Sequence, residues 1–148
     1  MTVLINLLPY RPTATGLSRY VERLFFAWEE ATGESFPLQL RVQADGKSQL
    51  SRAKDLPQQQ DSRLMRLLQA YALAQHAVPV KRLVSELDLD LIYSPFTDRL
   101  LALPDIPQII TCHDLIPQFF ANSRRAFFHS RFWLPLHLHG AFKVIAIS

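Results

Sequence analysis

The sequence predicts an α/β fold, a parallel β-sheet with helices on both faces, and three observations predict it. Short apolar runs that stop at Pro or polar residues recur along the chain, as strands buried on both sides require. Segments with helical spacing of apolar residues alternate with them. The resulting order, β-α-β-α-β-β-α-β, shows no internal repeat. With 148 residues, 49% of them hydrophobic and 20% charged, the chain is read as a single domain over 1–148.

Thr2 to Leu8 is the first strand, halted by Pro9. Leu17, Tyr20, Val21, Leu24, Phe25 and Trp28 then fall on one helical face, with Thr15 placed to cap the start and Gly33 to end the helix in a left-handed turn. Phe36 to Val42 alternates apolar residues with Pro37, Gln39 and Arg41, the two-residue period of an outer strand with one wetter face. Ala44 to Gln60 is polar, contains Asp45-Gly46, and reads as an exposed loop. Leu64, Leu67, Leu68, Tyr71 and Ala72 resume helical spacing. Pro79 interrupts, and Val80 to Leu87 forms a further helical piece. Leu89 to Tyr93 and Gln108 to Cys112 are buried strands, Ser123 to Leu138 a helix closing at Gly140, and Lys143 to Ile147 the last strand.

The formal charge of +3 and pI near 9.3 lack the clustered cationic stripe of a nucleic-acid binder, so no nucleic-acid partner is expected. A lone Cys112 in an apolar run favours a reducing compartment, hence a cytoplasmic protein. The N-terminus carries no signal-peptide pattern. No metal-ligand spacing, phosphate-binding P-loop, dinucleotide fingerprint or serine elbow is present. His137 and His139 stand two apart, which splays them on a helix, and both read as structural.

Three segments leave strands where parallel sheets gather ligands, at the carboxyl ends. Pro9 to Gly16 runs from a strand into a helix whose free N–H groups and dipole attract anions. Gly16, Thr15 and Arg19 are its phosphate-binding candidates, weighed against an ordinary helix-start glycine and a solvated arginine. His113 and Asp114 end the strand Gln108 to Cys112. Ser94, Thr97 and Asp98 follow the strand ending at Tyr93 and are candidates for ligand recognition, weighed against a tight turn stiffened by Pro95, for Ser94 equally.

The opening VLINLLPYRPTATGLSRYVERL, the segment DLIYSPF, and IPQIITCHDLIPQFF followed later by KVIAIS together resemble the N-terminal domain of glycosyltransferase family 4. Members of that family often carry more glycines in the first loop, where Thr13-Ala14-Thr15 here precede a lone Gly16. The resemblance implies a Rossmann-like domain, the acceptor-side half of a retaining GT-B enzyme whose second domain holds most of the nucleotide sugar. It implies a metal-independent reaction with a nucleotide sugar as substrate and a glycan or lipid as acceptor. It places His113 beside the transferred sugar, Asp114 as a partner fixing its tautomer or touching acceptor hydroxyls, and Ser94, Thr97 and Asp98 as the acceptor-binding candidates. The donor domain is absent from these residues, so the chain alone is expected to be inactive; a separately encoded donor domain is one expected partner.

The chain stops on a strand at Ser148, so uncovered apolar surface is expected there, inviting homodimerisation or another partner. Ser123 to Gly140 mixes Arg124, Arg125, His129 and Arg131 with Phe127, Phe128, Phe132 and Trp133. That composition suits peripheral contact with the inner face of a membrane, but aromatic residues at helical spacing more often pack in a core, and core packing is the favoured expectation. The alternative to an enzyme is a non-catalytic binding module for a glycan, lipid headgroup or protein. A flavodoxin-like domain is disfavoured, since no phosphorylatable acidic cluster or glycine-rich phosphate loop is present.

Overall fold

The computed structural model describes residues 2–10, 16–33, 38–42, 48–51, 77–113 and 127–147. It contains a six-stranded sheet in the order β3-β2-β1-β4-β5-β6, formed by β1 (Val3–Asn6), β2 (Leu38–Val42), β3 (Ser48–Ser51), β4 (Leu91–Ser94), β5 (Gln108–Cys112) and β6 (Lys143–Ala146). Its helices are α1 (Gly16–Thr32), α2 (Ala77–Val84) and α3 (Leu134–His139), the last entered through a wide π-helical turn at His129–Trp133. The helix expected over Leu64–Ala72, together with Thr15, Asp114, Arg124 and Arg125, lies outside the described residues.

Five strands run parallel, from β2 through β1, β4 and β5 to β6. The sixth corrects the expectation of an all-parallel sheet. β3 lies within the segment read as loop, and it pairs antiparallel with β2 from Gln39↔Ser51 to Val42↔Ser48. Within Ser48–Ser51 only Leu50 is apolar, so no two-residue period marked the strand. Asp45-Gly46, a dipeptide suited to hairpins, was its one local signal.

That hairpin also corrects the reading of β2 as an outer strand with a wet face. Gln39 and Arg41 are buried, because β3 covers the outer edge of β2 and the two polar side chains satisfy each other. Gln39 Oε1 accepts from Arg41 Nε at 2.8 Å and from Nη2 at 2.5 Å.

Alternation along the strands divides the apolar residues between the two faces. Leu4, Leu40 and Ile92 pack with Val80 and Val84 of α2 and with Leu100 and Leu103. On the other face Ile5 and Leu7 meet Val21 and Phe25 of α1, with Tyr10 and Phe96 closing the cluster. Helices therefore cover both faces, as the sequence predicts. Burying side chains of this size stabilises the fold by roughly 1.5–3 kcal/mol each.

Helix boundaries follow local chemistry. Gly33 sits at φ 61°, its N–H bonded to Glu29 O at 3.0 Å, which is the left-handed cap that ends α1. Pro79, expected to interrupt, instead lies in the first turn of α2, where no intrahelical partner needs its missing N–H. Pro135 likewise falls in the first turn of α3, as its second residue. The π-turn before it widens the helix where a proline ring would otherwise crowd the preceding turn.

A second correction concerns this last helical segment. Ser130, Leu134 and His137 are buried and Trp133 is half-buried against Asp98, whereas Phe127, Phe128, Phe132 and Leu136 are exposed. The favoured core packing does not hold for Phe127, Phe128 and Phe132, and it holds only in part for the half-buried Trp133. Aromatic spacing marks a face without saying which way it points.

Candidate functional site

The strand order places a topological switch point between β1 and β4. From β1 the chain crosses outward to β2, and it later returns to lay β4 on the opposite side of β1. The connections leaving the carboxyl ends of these two strands diverge, opening the crevice where sheets of this kind bind ligands. Three described features reach that edge: the start of α1 at Gly16, the turn after β4, and His113 directly after β5.

Gly16 opens α1, and neither its backbone conformation nor its neighbours demand glycine. An added Cβ there would meet nothing within 4 Å. Arg19, in the first turn, is exposed. One residue further on, Tyr20 reaches across the crevice. Its ring packs edge-on against His113 with centroids 4.9 Å apart, and its hydroxyl bonds Tyr93 Oη at 2.8 Å. Tyr93 in turn bonds Thr111 Oγ1 at 2.8 Å. The start of α1 and the end of β5 thus share one edge of the sheet.

His113 Nε2 lies 2.7 Å from Pro95 O. A carbonyl only accepts, so Nε2 carries the proton, and in the neutral ring Nδ1 is left as the acceptor. The Pro95 carbonyl fixes this tautomer.

The three acceptor-binding candidates are tied into the fold. Ser94 is buried, its hydroxyl accepting from Asn6 Nδ2 at 3.2 Å. Thr97 Oγ1 donates to Thr111 O at 3.4 Å. Asp98 Oδ1 accepts from Trp133 Nε1 at 2.9 Å. Thr97 and Asp98 remain half-exposed.

Sequence reasoning missed Asn6, Tyr20 and Tyr93. Asn6 is fully buried at the switch point: Nδ2 donates to Ser94 Oγ and, at 3.3 Å, to Asp98 O, while Oδ1 accepts from Leu8 N at 3.2 Å. A polar residue in the middle of the run Leu4-Ile5-Asn6-Leu7-Leu8 was its signal. Tyr20 counted only as a member of an apolar helical face, and nothing local distinguishes its hydroxyl.

Burial pushes the Tyr93 phenol far above its ordinary range, and the Tyr20 hydroxyl adds to the rise while the Thr111 bond opposes it. The Tyr93 phenol therefore acts as a neutral hydrogen-bonding group. Among the described residues no group of three or more His, Cys, Asp or Glu side chains is placed to hold a metal ion. Nor is any described helix long and apolar enough to cross a membrane.

A scan against protein-family models finds no match, and neither does a search of curated proteins or of solved structures.

Proposed function

We propose that the chain supplies the acceptor-side wall of a retaining glycosyltransferase cleft, as a Rossmann-like half of a GT-B architecture akin to family 4. The observation that carries the reading is the contact between Tyr20 and His113, which brings the anion-attracting start of α1 and a strand-end histidine to one edge at the switch point. Open space beside Gly16 adds support, since a donor diphosphate can approach the backbone there.

In this reading the bond between the anomeric carbon and the diphosphate oxygen breaks, and a bond to the acceptor oxygen forms on the same sugar face. The acceptor proton passes to the departing diphosphate. The start of α1 and Arg19 stabilise the leaving charge without a metal ion. His113 hydrogen-bonds the transferred sugar, with its tautomer set by Pro95. A glycan or lipid acceptor enters beside Thr97, and a partner domain holds the nucleotide and the rest of the donor sugar. Ser94, being buried, contributes by holding Asn6 rather than by touching the acceptor.

Titration calorimetry with a panel of nucleotide sugars and sugar acceptors tests the cleft. Binding should weaken about tenfold in His113→Ala, the loss of the hydrogen bond that the free Nδ1 accepts from a polar ligand. The purified 148 residues should show no sugar transfer unless a donor domain is added. Transfer by this chain alone, or ligand binding indifferent to His113, overturns the proposal.

The internal bonds of Ser94 and Asp98 favour one other reading, a binding module without chemistry. It is distinguished by ligand binding that persists while no donor domain restores turnover.

A further inference from the structure

His113 is held from two sides. Its Nε2–H donates to Pro95 O at 2.7 Å, and the ring of Tyr20 meets the imidazole nearly at right angles, with an interplanar angle of 80° and centroids 4.9 Å apart. The hydrogen bond alone leaves the imidazole free to tilt, because a carbonyl oxygen accepts over a broad range of directions. A perpendicular ring packed against it removes that freedom. Such a pair is also attractive in itself, the positive edge of one ring meeting the negative face of the other.

The Tyr20 ring can restrain its neighbour only if it is itself restrained. It packs, with Tyr93, against the cluster that contains Ile5, Val21 and Phe25. Its hydroxyl bonds Tyr93 Oη at 2.8 Å, and Tyr93 Oη bonds Thr111 Oγ1 at 2.8 Å. Thr111 is fully buried. It stands two residues before His113, and the two-residue period of a strand puts both on one face of the sheet. The circuit therefore closes on itself: β5 leads directly into the histidine, and it also anchors the far end of the chain of hydroxyls that steadies the ring beside it.

We infer that Tyr20 is a positioning residue for His113: its ring fixes the tilt of the imidazole, and its hydroxyl, through Tyr93 and Thr111, fixes the ring. Nδ1, the nitrogen left to accept, is then presented in one direction. A ligand hydroxyl meets it without an imidazole rotamer having to be frozen on binding. Tyr20 acts through the histidine rather than on the ligand. This role rests on the reading of His113 as a ligand-facing group, and one arm of its test needs no ligand.

That arm follows the His113 Nε2–H proton in a proton–nitrogen NMR spectrum of the full chain labelled at histidine, assigned by its disappearance in His113→Ala. A bonded, immobile imidazole protects this proton from exchange, so the signal should be sharp in the parent. It should vanish in Tyr20→Leu, which removes the ring. It should broaden in Tyr93→Phe, which leaves the Tyr20 and His113 side chains intact but cuts both hydroxyl bonds. Tyr20→Phe keeps the ring and loses only its tether, so it should broaden the signal to a similar extent, and it decides the matter should Tyr20→Leu not fold. The second arm is titration calorimetry with uridine diphosphate glucose and guanosine diphosphate mannose as probes. Tyr20→Leu should weaken binding about two- to tenfold. Combined with His113→Ala it should weaken binding no further, since its effect passes through the imidazole. A signal unchanged in Tyr20→Leu, a signal unchanged in both phenylalanine variants, or losses that add in the double variant overturn the proposal. Loss of the signal in Tyr20→Leu with neither probe bound supports the positioning role and counts against the glycosyltransferase reading, so the two failures are told apart.

Discussion

Asn6 shows how one side chain sets the geometry of an edge. Its amide uses both ends, tying β1 to Ser94 of β4 and to the chain at Asp98 while satisfying Leu8 N. Buried polar groups of this kind persist because leaving a partner unsatisfied costs about 1–3 kcal/mol. The tyrosines add a pH dependence. Tyr93 and Tyr10 are held neutral chiefly by burial, with Glu22 reinforcing the effect at Tyr10. Their folded pKa values lie above the unfolded value, so the unfolded chain loses these protons first. Their contribution to stability is complete below pH about 10 and is lost progressively as pH rises above it. The urea midpoint should accordingly be flat to about pH 9 and fall beyond about pH 10. Tyr93→Phe should show a shallower decline, and an alkaline slope no different from the parent would contradict the assignment.

At the level of the element, α1 offers the cleanest contrast between a buried and an exposed neighbour. Phe25 is 4% exposed within the core against Ile5, whereas Phe26 is 69% exposed. Phe25→Ala should cost about 3–5 kcal/mol in a denaturant titration, and Phe26→Ala no more than about 0.5 kcal/mol. Comparable losses would mean that the helix presents another face. This element was legible in the sequence because its stripe repeats over 17 residues and ends at a glycine suited to a left-handed cap. β3 was not, since four residues with one apolar member carry no period. The outward turn of Phe128 and Phe132 was equally hidden, because spacing defines a stripe while only tertiary packing decides what it meets. In the candidate site, the strand-end position of His113 could be read directly. Its contacts with Tyr20 and Pro95 join residues far apart in sequence, and no local pattern announces them.

Across the whole molecule, stability should grade outward from the switch point. β1, β4 and β5 are flanked by strands on both sides, while β3 and β6 are edges and every residue of β6 is exposed. Amide exchange should therefore be slowest in Leu4–Asn6 and Ile92–Ser94 and faster in Val144–Ala146. Slower exchange in β6 than in β1 would argue for a covered edge. One further joint spans this gradient. Arg99 Nη1 donates to Gly140 O at 2.8 Å, and the guanidinium fills the volume that any side chain at position 140 would claim. A bare hydrogen at that corner thus lets a cation from the central strand's turn clasp the peptide that leads into the outermost one. Even a methyl group there would displace the guanidinium, and because that is the far end of a flexible side chain, Gly140→Ala should release the clasp while the backbone around it stays in place.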